Sequence, residues 1–264
     1  MPRYAMAVSY LGTAYYGWQS QQNKITVQSV LEQAIATVAN HKVKLICAGR
    51  TDKGVHAFSQ VVHFDSDAQR SCDNWSKGVN ANLPNDIVVC WVHKVSDDFH
   101  ARFSALKREY VFLLDNNPLP CLFLQNRVVW IKRKLDIDAM SLAANYLLGK
   151  HDFSAFRASG CQAVTAIRTI SDCRIVTNNG MVFVYITANA FLYHMVRNIV
   201  GSLLLVGDGS KSYDWLKQVL DGKNRSYAAK TIAPCGLYLY KIHYDTVYDL
   251  PEHDGLFVLG GSNV

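Results

Sequence analysis

The spacing of apolar positions changes from a two-residue to a helical period and back along the chain, and each change marks an element. Arg3 to Tyr10 (RYAMAVSY) alternates weakly and predicts a strand, ended by Gly12. From Thr26 to Asn40, Val27, Val30, Leu31, Ala34, Ile35 and Val38 fall on one helical face. Lys42 to Cys47 and Gln60 to Phe64 are short β-rich runs on either side of a Gly-bracketed loop. Trp75 to Asn82 predicts a short helix that stops before Pro84, and Ile87 to Val95 predicts another strand.

A similar order of elements then recurs. Arg108 to Leu114 and Arg127 to Ile131 read as strands, and Ile137 to Leu148 as a helix with Asp136 as N-cap and Gly149 as its stop. Arg168 to Val176 and Met181 to Ala188 form a predicted hairpin joined at Asn178-Asn179-Gly180. Tyr193 to Val206 is helical, Tyr213 to Leu220 is a second helix capped by Ser212, and Leu237 to His243 is a closing strand. The expectation is an α+β chain of two halves with antiparallel sheets. Residues 1–104 carry the Gly-bracketed loop, 105–247 form the second half, and 248–264 are an acidic, Gly-rich, peripheral tail.

Composition narrows the class. Half of the 264 residues are hydrophobic and 18% are charged, ample for a packed core and wrong for a disordered or collagenous chain. Seven cysteines form no CxxC pair, which fits reduced thiols rather than a secreted disulfide framework or a zinc knuckle. No apolar leader core follows Met1-Pro2-Arg3-Tyr4, and the apolar stretch Ile199 to Val206 is too short for a bilayer. These features predict a soluble, cytoplasmic protein without a membrane partner. The net charge of +6 is unevenly spread: no Lys or Arg follows Lys241, whereas four of the 21 acids do. A basic body with 14 Tyr, 11 Phe and 5 Trp is compatible with a polyanion such as RNA, although charge alone favours a merely soluble basic protein.

Three strings stand out chemically. In Ala48-Gly49-Arg50-Thr51-Asp52-Lys53-Gly54-Val55-His56, two glycines frame an Arg and an Asp in a tight loop. Asp52 there is either a presented carboxylate or an Asx-turn residue bonding its own backbone. The loop lacks the Gly-Lys-Ser/Thr ending of a phosphate loop, and His56 and His63 lack the spacing of a zinc pair, so no metal is expected. In Phe191-Leu192-Tyr193-His194-Met195-Val196-Arg197-Asn198, Arg197 sits among apolar helix neighbours. It either meets a carboxylate or reaches solvent from the helix edge. In Arg108-Glu109-Tyr110, the tyrosine at a strand start is either a base-stacking ring or a half-buried strand aromatic.

Together the strings Gly-Arg-Thr-Asp-x-Gly-Val-His, Arg-x-Tyr and Phe-Leu-x-His-Met-Val-Arg-Asn closely resemble the tRNA pseudouridine synthase A family. Tyr16-Gly17-Trp18-Gln19, His151-Asp152-Phe153 and Gly236-Leu237-Tyr238-Leu239 add to the likeness, which runs in order from about Tyr4 to Tyr244. The resemblance implies two related RRM/ferredoxin-like halves whose antiparallel sheets join into one central sheet, with helices on one side and the active cleft between the halves. It implies a cofactor-independent homodimeric isomerase that converts uridine to pseudouridine at positions 38, 39 and 40 of the tRNA anticodon arm. Carried over, Asp52 is the essential carboxylate, Arg197 its partner, and Tyr110 the residue against the uracil. Arg50 enters the RNA beside the displaced nucleotide. Lys53, which either contacts phosphate or points to solvent, and His194, which either meets substrate or makes a structural hydrogen bond, are further substrate-side candidates. Lys53 stands where many relatives have Ala, and Tyr193 where they often have His. Two rival classes are a non-catalytic RNA-binding protein and a hydrolytic nucleosidase.

Overall fold

In a computed structural model of the protein, residues 1–252 are described. The elements in chain order are β1 (Arg3–Tyr10), α1 (Val27–Ala39), β2 (Ile46–Cys47), β3 (His56–Asp65), α2 (Cys72–Asn80), β4 (Ile87–Val95), β5 (Lys107–Asp115) and β6 (Val129–Trp130). There follow α3 (Ile137–Asn145), β7 (Gly149–Asp152), β8 (Ile167–Asn178), β9 (Met181–Ala188), α4 (Met195–Gly207), α5 (Tyr213–Gly222) and β10 (Leu237–His243). The chain is mixed α+β. It divides into two compact units, Met1–Arg108 with the residues from Tyr238 onward, and Glu109–Leu237. The last strand therefore belongs to the first unit, although sequence order groups it with the second half. Of the 248–264 tail, residues 253–264 lie outside the described residues. Among the described residues, no helix is long and apolar enough to cross a membrane.

In the first unit the strand order is β4-β1-β3-β10, with β2 also on β3. β1 pairs antiparallel with β3 and β4, and β10 runs parallel to the start of β3 at His56 and Ala57. α2 covers the sheet through Trp75, which lies against Tyr4 and Phe64. α1 starts where the Thr26 side chain accepts from Ser29 N–H and Ser29 reciprocates, a capping box. It buries Val27, Leu31, Ala34 and Ile35, four of the six expected face residues, and adds Gln28 and Ala39.

β3 begins four residues before the Gln60 start expected from its apolar run. Its early part does not look like a strand in sequence because it is polar and yet buried: His56, Ser59, Gln60 and His63 are all inside. With residues of both its faces buried, the strand has no solvent side to impose alternation.

In the second unit the order is β5-β9-β8-β7, with β6 parallel to β5. The β8–β9 hairpin turns through Asn179 (φ 48°) and Gly180 (φ 77°), the two consecutive positive values a type I′ turn needs. α3 ends at Asn145, three residues before the expected Leu148, because the chain leaves it to form β7, which Gly149 (φ 97°) opens. α4 is anchored by Val196, Ile199, Val200 and Leu203, all buried. Close passage of α4 is permitted by Gly201, whose missing Cβ would lie 2.6 Å from the Lys230 carbonyl oxygen.

Candidate active site

The loop carrying Arg50, Asp52 and Lys53 is held by side chains reaching in from the strands around it. Gln60 is fully buried and takes both backbone groups of Gly49, its Oε1 accepting from the N–H at 3.3 Å and its Nε2 donating to the carbonyl. Ala48 N–H donates to the Val61 carbonyl at 2.8 Å, and Arg108 Nη2 donates to the Ala48 carbonyl at 3.1 Å. The buried Thr51 hydroxyl bonds Tyr10 at 2.7 Å, and its carbonyl accepts from Trp18 N–H. Val55 N–H closes a turn onto the Asp52 carbonyl at 3.1 Å, with Gly54 at φ 76° supplying the left-handed position. His56 ends the loop with Nδ1 accepting from Gly12 N–H at 2.9 Å and its ring stacked on Tyr238.

Gly17 (φ 85°) is the other requirement. A Cβ there would lie 2.8 Å from the Thr51 carbonyl oxygen and 3.1 Å from the backbone around Asp52. The loop backbone is thus pinned at several points, while its side chains emerge to different depths. Asp52 is half-buried, and Arg50 and Lys53 are exposed. Burial pushes the neighbouring Cys47 thiol up to about 11, against the opposing charge of Arg50, so it stays protonated at neutral pH.

The other sequence-predicted residues lie in the second unit. Tyr110 is 8% exposed on β5, and its ring meets Phe191 edge-on at 5.0 Å. Next to it, the buried Glu109 pairs with Arg174, whose guanidinium covers the Tyr185 ring at 4.2 Å. His194 caps α4 in a left-handed conformation (φ 58°), strained for a non-glycine residue, with its ring stacked on the exposed Tyr193 at 3.9 Å. Arg197 sits in the first turn of α4, half-buried rather than enclosed. Its Nε donates to the Ile232 carbonyl at 2.9 Å, which sets the plane of the guanidinium.

Asn198 holds that helix start in place. It is fully buried, donates to the Phe156 carbonyl at 2.8 Å, and accepts from Thr231 at 2.6 Å and Arg225 at 3.1 Å. Two loops distant in sequence, one at Phe156 and one over residues 225–231, are thereby tied to one amide.

Arg50, Asp52 and Lys53 therefore share one loop of the first unit, whereas Tyr110 lies on β5 and His194 and Arg197 at the start of α4, all in the second. Sequence reasoning does not single out Gln60, and it meets Arg108 and Asn198 only as members of two of the strings, without a role for either. Neither a polar residue in an apolar run nor a place in a string says which backbone group each will meet. Among the described residues, no group of three or more His, Cys, Asp or Glu is placed to hold a metal ion.

A family profile described as "tRNA pseudouridine synthase" matches residues 6–104 and 143–245. Tyr110 falls between the two stretches; the 48–56 loop and the start of α4 fall within them. The tRNA pseudouridine synthase A of Colwellia psychrerythraea is 47% identical over 250 residues, covering 95% of this chain and 96% of that one. Those of a Janthinobacterium species and of Buchnera aphidicola are 46% and 44% identical, with 94% and 97% of their lengths covered. Among solved structures, a Cbf5-Nop10-Gar1 complex aligns over 76% of this chain and 45% of that one, at 14% identity and a TM-score of 0.36, too slight a likeness to argue from. Identity at nearly half of all positions over almost the whole length of both chains leaves one conclusion: the chain belongs to the tRNA pseudouridine synthase A family.

Proposed function

We propose that the chain isomerises uridine to pseudouridine in the anticodon arm of tRNA, at positions 38, 39 and 40, with Asp52 as the essential carboxylate. The observation that carries this reading is the full-length family match, whose first stretch includes the Asp52 loop. The reaction breaks the bond from uracil N1 to the sugar C1′, turns the base, and joins C5 to C1′ with loss of the C5 proton. Departure of the base builds positive character at C1′, which an ionised carboxylate stabilises or traps. A loop whose backbone is pinned at several points is suited to that task, because it does not reorganise as charge develops.

Arg197, its plane set by Ile232, supplies the positive charge that keeps the carboxylate ionised and aimed. Tyr110, braced edge-on by Phe191, lies against the uracil, and its hydroxyl is the group on hand to remove the C5 proton. The target must leave the helical stack at a cost of roughly a few kcal/mol. Arg50 entering the vacated space offsets part of that cost, with Lys53 and His194 as further contacts. The enzyme acts as a cytoplasmic homodimer in this reading.

The test is an unmodified tRNA transcript carrying tritium at uracil C5. The expected result is tritium released to water without strand cleavage or free uracil, with product mapped to positions 38–40. Free uracil would identify a nucleosidase, and no release at all a non-catalytic RNA binder.

A further inference from the structure

We infer that Lys24 and Lys53, gathered around the ring of Tyr16, form a contact site for a backbone phosphate of the bound RNA beside Asp52; this rests on the reading of the substrate as tRNA. Residues 16–25 make a closed loop. Tyr16 N–H donates to the Ile25 carbonyl at 2.9 Å, Gln21 Nε2 donates to the Tyr16 carbonyl at 3.0 Å, and Val27 N–H returns to the Gly17 carbonyl. That closure sets Lys24 Nζ 4.4 Å from the centre of the Tyr16 ring.

The second ammonium comes from the neighbouring loop. Because Gly17 lacks a Cβ, the 51–53 backbone passes against it, and Trp18 N–H bonds the Thr51 carbonyl at 3.0 Å. Lys53 Nζ then lies 4.3 Å from the same ring centre. The separation of the two ammonium groups cannot exceed the sum of those two distances.

Two like charges converge on one half-exposed ring, and among the described residues neither pairs with a carboxylate. The ring face attracts each cation and cannot neutralise both. A phosphodiester reached by both supplies a full negative charge where the ring supplies none, and lysine ammonium groups suit it as point charges on flexible stems. Lys53 directly follows Asp52, so the phosphate it grips adjoins the nucleotide whose sugar faces that carboxylate. The pair also offsets the repulsion between that phosphate and Asp52. An RNA backbone rather than a free anion is the occupant, since the protein is basic and the site is open at its surface.

The experiment compares wild-type protein with a Lys24→Ala/Lys53→Ala double variant in binding an unmodified tRNA transcript over a salt series. Removing two phosphate contacts should weaken affinity about tenfold or more near 0.1 M salt, and make the log–log salt slope shallower by about 2. Lys24→Arg/Lys53→Arg should restore both. Tyr16→Leu should lose part of the affinity and Tyr16→Phe should keep it, with unchanged thermal midpoints showing that each variant is folded. Inorganic phosphate should compete no better than chloride at equal ionic strength. Wild-type affinity and slope in the double alanine variant would overturn the site, and specific competition by phosphate would reassign it to a small anion. Tritium release by wild type tests the substrate reading separately, so either idea can fail without the other.

Discussion

The Asp52 loop and the start of α4 are both preorganised, by opposite means. The loop has little apolar material of its own, and its path is dictated by hydrogen bonds from Gln60, Tyr10, Arg108 and Trp18. α4 is dictated by burial of its apolar stripe, with one polar clamp, Asn198, joining it to two loops. A loop set by individual bonds can present a half-buried carboxylate without closing a core over it. A helix set by burial can carry an arginine at its rim with the plane of its charge fixed. The difference implies that damage to the two regions separates into loss of activity and loss of fold.

The largest effect on stability is expected at the helix. Asn198→Leu deletes an amide that serves three partners in a fully buried position, and should cost about 3 kcal/mol. Urea unfolding should show the loss, and activity should fall only in step with the folded fraction. Gln60→Leu orphans the Gly49 N–H and carbonyl and should cost about 2 kcal/mol. Here kcat/KM for tritium release should drop well beyond the stability loss, because Asp52 is no longer held; parallel losses in both variants would break the contrast.

A smaller effect is set by pH. Burial, with Arg3 and His100 adding like charge, pushes the buried His63 imidazole down to about 4, and its Nδ1 accepts from Ala101 N–H. Protonation would turn that acceptor into a donor facing a donor. The unfolded chain binds this proton at its ordinary pKa near 6.5, so the stabilisation is complete above about pH 6.5 and is lost as pH falls toward 4. The urea midpoint should decline over that window, and His63→Gln should flatten the decline.

Much of the fold is legible in the apolar pattern of the chain. The strands Arg3–Tyr10, Ile87–Val95 and Leu237–His243 match their apolar runs residue for residue, because each alternates or is uniformly apolar and ends at turn chemistry. Asp136 caps its helix as expected, its side chain accepting from Ala139 N–H, whereas Ser212 stands at the N-cap of α5 without a side-chain hydrogen bond to the helix. Gly149–Asp152 is invisible as a strand in sequence, since GKHD has no β-branched residue and lies mostly exposed at the end of the strand order. The early part of β3 is hidden by buried polar groups whose partners are remote in sequence. The same cause hides Gln60 and Asn198: their roles are set by which backbone passes nearby, and that is a property of the fold. The Asp52 loop and the Arg197 helix are recognisable as strings, whereas the Lys24–Tyr16–Lys53 cluster needs two loops brought together.

The measurement that bears most directly on the central claim is tritium release from C5-labelled tRNA by Asp52→Ala beside wild type, with tRNA affinity determined in parallel. Asp52 carrying the chemistry predicts release at background level while affinity stays within a few fold of wild type. A folded Asp52→Ala protein that still turns over its substrate would contradict the account.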